Sequence, residues 1–338
     1  MTSSPFALLT LDVDDVARLL PMRDCIALMA DTLASLADGH GVLPLRTVIP
    51  LPDAAGWLYT MPAFAAAPPA LAVKLVTIFP ANHGGPLPSH QGVLILFDAG
   101  DGRPVALIDA TEVTAIRTAA VSAVATGALA REDATELALL GAGVQARAHL
   151  EAIPLVRPVR RVRVWSRNAG RTLAFAERMA RRLAFPIEAV PDARAAVEGA
   201  HIVCTVTSAG APVLRGEWLA PGAHVNAIGA STPATREVDT ATIRRARVYV
   251  DRRAAALAEA GDLLIPIAEG VITTAHIVAE IGDVIRGTAD GRSGPADVTL
   301  FKSLGLAIED AAAAHLLYQR ALADPARPIV HLPPRSPQ

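Results

Sequence analysis

The feature that most constrains the fold of this chain is a glycine-rich turn between a predicted strand and a predicted helix. The strand is Glu136–Leu140, and the helix covers Val144–Ile153. Gly141 and Gly143, which lie between them, and Ala146, in the first turn of the helix, match the pattern G-x-G-x-x-G/A. The first glycine allows a tight turn, the second lets the backbone approach a pyrophosphate, and the small third residue lets helix and strand pack closely. The turn therefore predicts a dinucleotide-binding domain with the phosphates at the helix N-terminus.

Strands and helices continue to alternate after this turn. Further strands are predicted at 162–165, 187–190, 201–206, 224–229 and 247–251, and helices at 171–183 and 192–199. Alternation of this kind predicts a parallel sheet with helices on both faces. We therefore expect a Rossmann-type, doubly wound α/β domain over residues 126–305.

The part of the chain before residue 126 has a different pattern. It opens with a helical region at 12–38, and short β-rich runs separated by Gly and Pro occupy 43–110. The segment AGDGRP has the composition of a hairpin turn. The pattern predicts a second, mostly antiparallel α+β domain over 1–125. An apolar helix over 301–322 is expected to return to it, so that this domain also includes about 306–338.

Composition argues against several classes of partner, although a local basic patch stays open. The 31 Lys and Arg nearly balance the 33 Asp and Glu, so we expect neither nucleic-acid nor membrane-surface binding. The uncharged stretch 54–73 contains three prolines and is a poor membrane helix. The two cysteines, Cys25 and Cys204, are far apart, and no cluster has metal-ligand spacing, so we expect no metal and a reducing, cytoplasmic location.

The end of the second strand of the α/β domain predicts which cofactor is bound. A NAD site has an acidic residue roughly 20 residues after the glycines, where it binds the ribose 2′-hydroxyl. Here the sequence has Ser166, Arg167 and Asn168, followed by Arg171. Because arginines pair with a 2′-phosphate, NADP(H) is favoured and NAD(H) stays open as the alternative. The predicted cofactor-binding residues are Gly141, Gly143, Val144, Gln145, Ser166, Arg167, Asn168, Arg171, Thr205 and Asn226.

Seven segments spread over the chain resemble the ornithine cyclodeaminase/μ-crystallin family. They are YTMPAF (59–64), LAVKLVTIFP (71–80), HQGVLILFD (90–98), EVTAIRTAAVSAVAT (112–126), GAGVQA (141–146), NAIGASTP (226–233) and DVTLFKSLG (297–305). The resemblance implies a homodimer in which the first domain serves dimerisation and substrate binding. It also implies a small imino or amino acid as substrate.

In this family the substrate carboxylate lies between basic residues, which the resemblance assigns to Arg46, Lys74 and Arg117. The sequence itself also singles out two of these three residues. Lys74 interrupts the apolar run LAVKLVTIF, and Arg117 lies in an apolar helix, where a charge is costly without a partner. Three structural readings stay open: a lysine that reaches solvent at a sheet edge, an arginine paired with a buried carboxylate, and, for Arg46, a surface position.

One position distinguishes the activities of the family. Its cyclodeaminases carry an aspartate base where this chain has Ser231, directly after Gly229 and Ala230. A serine does not accept a proton near neutral pH without a partner base. The resemblance therefore favours a ketimine reductase, which reduces Δ1-pyrroline-2-carboxylate or Δ1-piperideine-2-carboxylate to L-proline or L-pipecolate with NAD(P)H. Lys74, or a water held near Ser231, is the candidate proton donor.

Other activities on the same scaffold remain alternatives. They are ornithine cyclodeamination, an alanine-dehydrogenase-like reductive amination and reduction of an acyclic iminodiacid. A crystallin-like protein that binds NADPH without turnover is an alternative of a different class.

Overall fold

The computed structural model describes residues 7–82, 85–183, 185–324 and 329–331. The strands are β1 (Ala7–Leu11), β2 (Gly41–Val42), β3 (Thr47–Pro50), β4 (Trp57–Ala66), β5 (Pro69–Ile78), β6 (His90–Phe97), β7 (Pro104–Asp109), β8 (Glu136–Leu140), β9 (Arg161–Trp165), β10 (Ile187–Ala189), β11 (Ile202–Thr205), β12 (His224–Ala227), β13 (Arg247–Val250), β14 (Ile277–Glu280), β15 (Thr299–Lys302) and β16 (Ile329–His331). The helices are α1 (Val13–Leu19), α2 (Met22–Ala37), α3 (Ala110–Leu129), α4 (Val144–Ala152), α5 (Ala169–Arg182), α6 (Ala193–Val197), α7 (Thr240–Arg245), α8 (Arg253–Glu259), α9 (Gly261–Ala268), α10 (Ile281–Arg286) and α11 (Ala307–Leu322).

The chain forms two compact units. The first consists of the residues up to Arg117 together with those from Leu306 onward, and the second is Thr118–Gly305. The division after Arg117 falls inside α3, and so does the boundary at residue 125 that the sequence predicts.

The first unit is built on a mixed sheet with the strand order β16-β1-β7-β6-β5-β4-β2, and β3 also pairs with β4. Its central strands β4 to β7 are antiparallel neighbours, and β1 runs parallel to β7. Helix α11 packs on β4 and β5 and also contacts α2. Alternate side chains of the strands, such as Tyr59, Met61, Ala70 and Ala72, are buried, as the two-residue period of a strand requires. The mostly antiparallel sheet is as predicted.

The second unit contains an all-parallel sheet with the order β10-β9-β8-β11-β12-β15-β13-β14. The central strands are buried on both faces, which explains their nearly continuous apolar sequences. The strand order reverses between β8 and β11. In open α/β sheets, ligands bind at the carboxyl ends of the strands next to this reversal. The Rossmann-type α/β fold is confirmed.

Two predicted elements differ in the structure. The predicted helix over 301–322 begins only at Ala307, because Phe301 and Lys302 belong to β15 and Gly305 has a φ of +76° that ends the preceding segment. A short buried strand and a buried helix have similar apolar sequences, so periodicity did not separate them. The predicted helical region 12–38 is two helices separated at Pro21.

The uncharged stretch 54–73 contributes to β4 and β5 rather than to a helix. In the part of the chain that the structure describes, no helix combines the length and apolar character needed to cross a bilayer.

Candidate active site

The glycine turn lies at the carboxyl end of β8, next to the reversal of strand order. Gly141 has a φ of +127°, and a Cβ built on it would lie 2.6 Å from the carbonyl oxygen of Val206, which follows β11. Gly143 is the N-cap of α4, and a Cβ built on it would meet no atom within 4 Å. Ala146 is fully buried. Open space therefore lies beside Gly143 at the N-terminus of α4, which fits the pyrophosphate of a dinucleotide.

The first residues of α4 border this open space. The side chain of Val144 is 54% exposed, and Gln145 is half-buried. The carbonyl oxygen of Gln145 lies 2.8 Å from Nδ1 of His149 one turn later.

The segment after β9 presents two arginines to solvent. Asn168 caps α5 by accepting a hydrogen bond from the backbone N–H of Arg171 at 2.9 Å. The hydroxyl of Ser166 lies 2.7 Å from that of Thr172. Arg167 and Arg171 are exposed, and neither forms an ion pair with any residue that the structure describes. Both guanidinium groups are therefore available to an anionic ligand.

Thr205 and Asn226, the other two predicted cofactor residues, are fully buried. The Thr205 hydroxyl donates to Glu237 at 2.8 Å. The Asn226 amide donates to the hydroxyl of Thr126 at 2.9 Å, and its oxygen lies 3.3 Å from Nε2 of His224. Their polar atoms thus bind other residues of the second unit. A direct role in cofactor binding stays a prediction.

Ser231 lies in a turn whose preceding backbone is held by a buried lysine. Lys302 Nζ donates to the carbonyl oxygens of Ala230 at 2.5 Å and Ala227 at 3.2 Å. The same ammonium lies 2.9 Å from a carboxylate oxygen of Asp262, and both side chains are fully buried. Ser231 itself is half-buried. Sequence reasoning named Ser231 but not the ion pair that fixes the turn before it.

A buried carboxylate holds the same turn from the other side. Glu237 accepts hydrogen bonds from the backbone N–H of Gly229 at 2.5 Å, and from the N–H and hydroxyl of Thr207 at 2.7 and 2.6 Å. Burial raises the pKa of Glu237, while the Thr207 bonds and nearby Lys302 oppose the rise. Glu237 therefore links the loops that follow β11 and β12, and the sequence analysis did not identify it.

In the first unit, Lys74 and Arg117 come together around two acidic residues at the start of α11. Lys74 Nζ lies 2.7 Å from Oδ2 of Asp310. Arg117 donates through Nε to Oδ1 of Asp310 at 3.0 Å and through a terminal nitrogen to Glu309 at 2.8 Å. Lys74 and Arg117 are each only 3% exposed. Arg117 is therefore paired with buried carboxylates, which was one of the structural readings that the sequence left open.

The protonation of this cluster follows from its burial and its charges. Burial lowers the pKa of Lys74 to about 8, while Asp310 opposes the fall and Arg117 and Arg46 add to it. Burial alone would raise the pKa of Asp310, but Arg117 and Lys74 outweigh it and hold that pKa below its usual value. The cluster is therefore an ion-paired set in which the ammonium is a stronger acid than that of a free lysine.

Arg46 lies next to the ion pairs of this cluster. The two cations Lys74 and Arg117 are matched by the two carboxylates of Glu309 and Asp310. Arg46 is half-buried and close enough to lower the pKa of Lys74. The structure thus brings all three predicted cations into one neighbourhood.

Glu309 and Asp310 were not identified from the sequence, although a signal was present. Both are acidic residues in an otherwise apolar, alanine-rich segment, AIEDAAAA. The argument that Arg117 needs a partner in an apolar helix applies equally to them. In the described ranges no three His, Cys, Asp or Glu side chains are grouped so that they could hold a metal ion.

A doubly wound parallel sheet with a glycine turn at its strand reversal defines the second unit as a dinucleotide-binding domain of the Rossmann type. The chain belongs to the ornithine cyclodeaminase/mu-crystallin family, whose model matches residues 8–324. The resemblance seen in the sequence is therefore confirmed.

Individual relatives cover most of the chain. It is 43% identical over 281 residues to the ketimine reductase mu-crystallin of Mus musculus, which covers 83% of this chain and 86% of that protein. The Δ1-pyrroline-2-carboxylate reductase of Thermococcus litoralis, solved with NADH and L-proline, superposes with a TM-score of 0.91 at 39% identity, covering 94% of this chain and 98% of that one. An archaeal alanine dehydrogenase dimer with bound NAD gives a TM-score of 0.90 at 29% identity, covering 96% and 99%.

Proposed function

We propose that the protein reduces a cyclic ketimine carboxylate, Δ1-pyrroline-2-carboxylate or Δ1-piperideine-2-carboxylate, to L-proline or L-pipecolate with a reduced nicotinamide dinucleotide. The observation that carries this proposal is the buried cluster around Lys74, in which a titratable ammonium lies beside a guanidinium. Relatives named ketimine reductase and Δ1-pyrroline-2-carboxylate reductase, the latter with L-proline bound, support the substrate class.

The substrate carboxylate is bound by the three cations. Arg46 and Arg117 supply guanidinium groups, which pair with carboxylates in a defined planar geometry. Lys74 adds a compact ammonium with three N–H donors. Its described contacts are Asp310 at 2.7 Å and the hydroxyl of Thr114 at 3.5 Å, so donor capacity remains for a ligand. Fixing the carboxylate orients the ring, and orientation supplies a large part of the rate of such a reaction.

Lys74 is the proton donor in this proposal. An imine accepts a nucleophile readily only when its nitrogen is protonated, and an ammonium with a pKa of about 8 is charged at neutral pH yet acidic enough to donate. When bound, the reduced nicotinamide supplies a hydride equivalent to the imine carbon. The half-buried Ser231, with the backbone before it held by Lys302, has no proton affinity of a base near neutral pH and is given no acid–base role.

We propose NADP(H) as the preferred cofactor. Gly141, Gly143 and the N-terminus of α4 hold the pyrophosphate, and Arg167 and Arg171 pair with the 2′-phosphate. Structural neighbours carry NADH or NAD, so the preference rests on these two exposed arginines and the absence of an acidic residue in Ser166–Asn168.

A homodimer is part of the proposal, because the first unit leaves one face of its sheet uncovered. Leu71, Val73 and Leu75 of β5 and Val93 and Ile95 of β6 point away from the face on which Ala70, Ala72 and Leu94 are buried, and Leu71 and Val93 are 37% exposed. A contiguous apolar face on an antiparallel sheet fits a second copy of the same sheet. The related alanine dehydrogenase is a dimer.

The two buried, unpaired cysteines agree with the cytoplasmic location we propose.

Steady-state assays of a substrate panel test this function. The reductions are assayed with NADPH and with NADH, on the two cyclic imines and on pyruvate with ammonia. L-Ornithine is assayed with the oxidised forms of the same cofactors. We expect the cyclic imines to have the highest kcat/KM. Higher turnover of pyruvate with ammonia would instead favour a reductive aminase. Cofactor binding without turnover of any substrate would favour a binding protein.

Variants of the cation cluster then test the assignment of the site. Lys74→Met and Arg117→Met should lower kcat/KM for the imine by about 10² or more, the lower end of what general acid catalysis and carboxylate positioning supply. Arg103→Met removes an exposed arginine whose ion pairs, among the residues that the structure describes, are with Asp98 and Asp101; it is the matched control and should keep full activity. Folded Lys74→Met and Arg117→Met proteins with normal imine reduction would refute this site.

A further inference from the structure

Asp310, in the first turn of α11, contacts two of the three predicted substrate-binding cations. Its Oδ2 atom is 2.7 Å from Lys74 Nζ, and its Oδ1 atom accepts the Nε–H of Arg117 at 3.0 Å. The carboxylate is 1% exposed. Because its two oxygens bind different cations, a single side chain sets the separation between the ammonium and the guanidinium.

The groups around Lys74 identify Asp310 as its main counter-charge. From α3, Arg117 and the Thr114 hydroxyl face the ammonium, and Arg46 approaches from the segment before β3. The residues opposite Lys74 on the neighbouring strands, Met61 and Leu94, are apolar.

The other acidic residue in the first turn of α11 pairs with a different cation. Glu309 pairs with Arg117 at 2.8 Å and lies near Cys25 of α2, whose pKa is raised to about 12 by burial, so the thiol is uncharged. Asp310 is thus the one carboxylate among the described residues within ion-pair distance of Lys74.

We propose that Asp310 is the positioning residue of the substrate site: it holds Lys74 beside Arg117 and keeps the Lys74 ammonium charged, so that Lys74 is able to donate a proton. This inference rests on the proposed function, because it assigns to Asp310 the control of the group that the reaction uses as an acid. Asp310 does not touch the substrate in this account, and it acts only through the two cations.

The proposal has a consequence for the pH dependence of the reaction. Two cations, Arg117 and Arg46, disfavour the charged form of Lys74, and burial adds to their effect, while Asp310 alone supports it. Without the Asp310 carboxylate, Lys74 loses its proton at lower pH. The alkaline limb of the kcat/KM profile should therefore move to lower pH by about one unit or more, since a close opposite charge shifts a pKa by one to three units.

The experiment compares kcat/KM for Δ1-pyrroline-2-carboxylate across pH in the unmodified protein, Asp310→Asn, Asp310→Glu and Glu309→Gln. All four proteins are assayed with the same imine. A difference between their alkaline limbs therefore arises from the protein and not from titration of the substrate. We expect Asp310→Asn to move the alkaline limb to lower pH and Asp310→Glu to restore it. Glu309→Gln removes a neighbouring carboxylate of the same helix that contacts Arg117, and it should shift the limb less than Asp310→Asn does.

A second measurement does not depend on turnover. Calorimetric binding of pyrrole-2-carboxylate, a planar five-membered-ring carboxylate, reports the charge of the cluster directly. In the unmodified protein its affinity should fall as Lys74 deprotonates, and in Asp310→Asn it should fall at a lower pH. Lys74→Arg keeps a permanent charge and should abolish the fall.

The outcomes separate the inference from the proposed function. If the unmodified protein reduces the imine but Asp310→Asn keeps the same alkaline limb, the inference is wrong and the function stands. If no imine is reduced, the function is wrong, and the pH dependence of pyrrole-2-carboxylate binding still decides the role of Asp310. If Asp310→Asn does not fold, Asp310→Glu decides the question. An alkaline limb at the same pH with kcat/KM lowered about tenfold supports the positioning role of Asp310, and an unchanged kcat/KM overturns that role.

Discussion

Gly141 and Val206 approach each other so closely that a Cβ on Gly141 would lie 2.6 Å from the Val206 carbonyl oxygen. The two residues follow β8 and β11, the strands on either side of the reversal of strand order. Gly143, two residues later, has no such neighbour. Gly141 is therefore required by the fold of the protein itself, whereas the fold leaves space for a side chain at Gly143, where we propose that the pyrophosphate binds.

This difference gives the first prediction. Gly141→Ala should destabilise the protein, because its φ of +127° and the contact with Val206 both disfavour a side chain. Gly143→Ala should unfold at the same temperature as the unmodified protein but bind NADPH at least about tenfold more weakly, because the methyl group occupies the space for the pyrophosphate. Thermal unfolding and fluorescence titration with NADPH measure the two effects. NADPH binding unchanged in Gly143→Ala would refute the placement of the pyrophosphate.

The second prediction concerns the choice of cofactor. Arg167→Ala should lower the ratio of kcat/KM for NADPH to that for NADH by about 10- to 100-fold, in line with the loss of a charged hydrogen bond of roughly 1–3 kcal/mol. Arg181→Ala, which removes another exposed arginine at the far end of α5, should leave the ratio unchanged. An unmodified protein that uses both cofactors equally well would show that Arg167 does not select NADPH.

The third prediction concerns Ser231. A hydroxyl does not replace a carboxylate as a base near neutral pH, so L-ornithine with NAD should release little or no ammonia. Ser231→Ala should keep appreciable imine reduction, with a loss smaller than the roughly 10²–10⁴-fold effect of removing a general base. Coupled assays for ammonia and for cofactor oxidation check both statements. Robust ammonia release from ornithine would instead support the cyclodeaminase alternative.

The fourth prediction concerns stability at acid pH. Burial lowers the pKa of His149 to about 4 and of His224 to about 3, with Arg292 adding to the effect at His224. An unfolded histidine titrates near 6.5, so between about pH 6.5 and pH 4 the unfolded chain binds more protons than the folded one. The free energy of unfolding should therefore fall as pH decreases through this window, by an amount on the order of a few kcal/mol.

Urea unfolding at several pH values tests this dependence. His149→Gln should reduce the slope of the unfolding free energy against pH, because one titrating group is removed. The exposed His40→Gln serves as the control and should leave the slope as it is. A slope that is the same in His149→Gln and in the unmodified protein would mean that His149 does not titrate on unfolding.

The fifth prediction concerns the uncovered face of the first unit. Val93→Glu places a charge on this face, where Val93 is 37% exposed, and should convert the proposed dimer to a monomer. Val278→Glu changes the same residue type at 39% exposure on β14 of the second unit and should leave the dimer intact. Sedimentation equilibrium distinguishes the two states. If both variants are monomers, or if the unmodified protein is itself a monomer, this face is not the dimer surface.

Much of the fold followed from local patterns in the sequence. The glycine turn, the alternation after it and the two-residue period of β4 to β6 each reflect short-range rules, and the two predicted sheets are present. The strand β15 was missed because four buried residues before a helix look like the first turn of that helix. The strand β1 was missed because it gains its partners, β7 and β16, only from distant parts of the chain.

The sequence predicted the cations of the candidate site but not their counter-charges. Lys74 and Arg117 stood out because each interrupts an apolar run. Glu309 and Asp310 interrupt one too, yet nothing local shows that a helix nearly 200 residues later supplies the partners of Arg117. The same holds for Glu237 and Lys302, whose roles come from backbone atoms of a turn that only the folded chain brings near them.

The most direct test of the central claim follows an isotope from cofactor to product. Δ1-pyrroline-2-carboxylate is incubated with the protein and NADPH that carries deuterium at the reactive C4 position, and the proline formed is examined by mass spectrometry and NMR. The account predicts L-proline with one deuterium, bound to Cα. Proline without deuterium at Cα, or no proline while the cofactor remains bound and unoxidised, would contradict it.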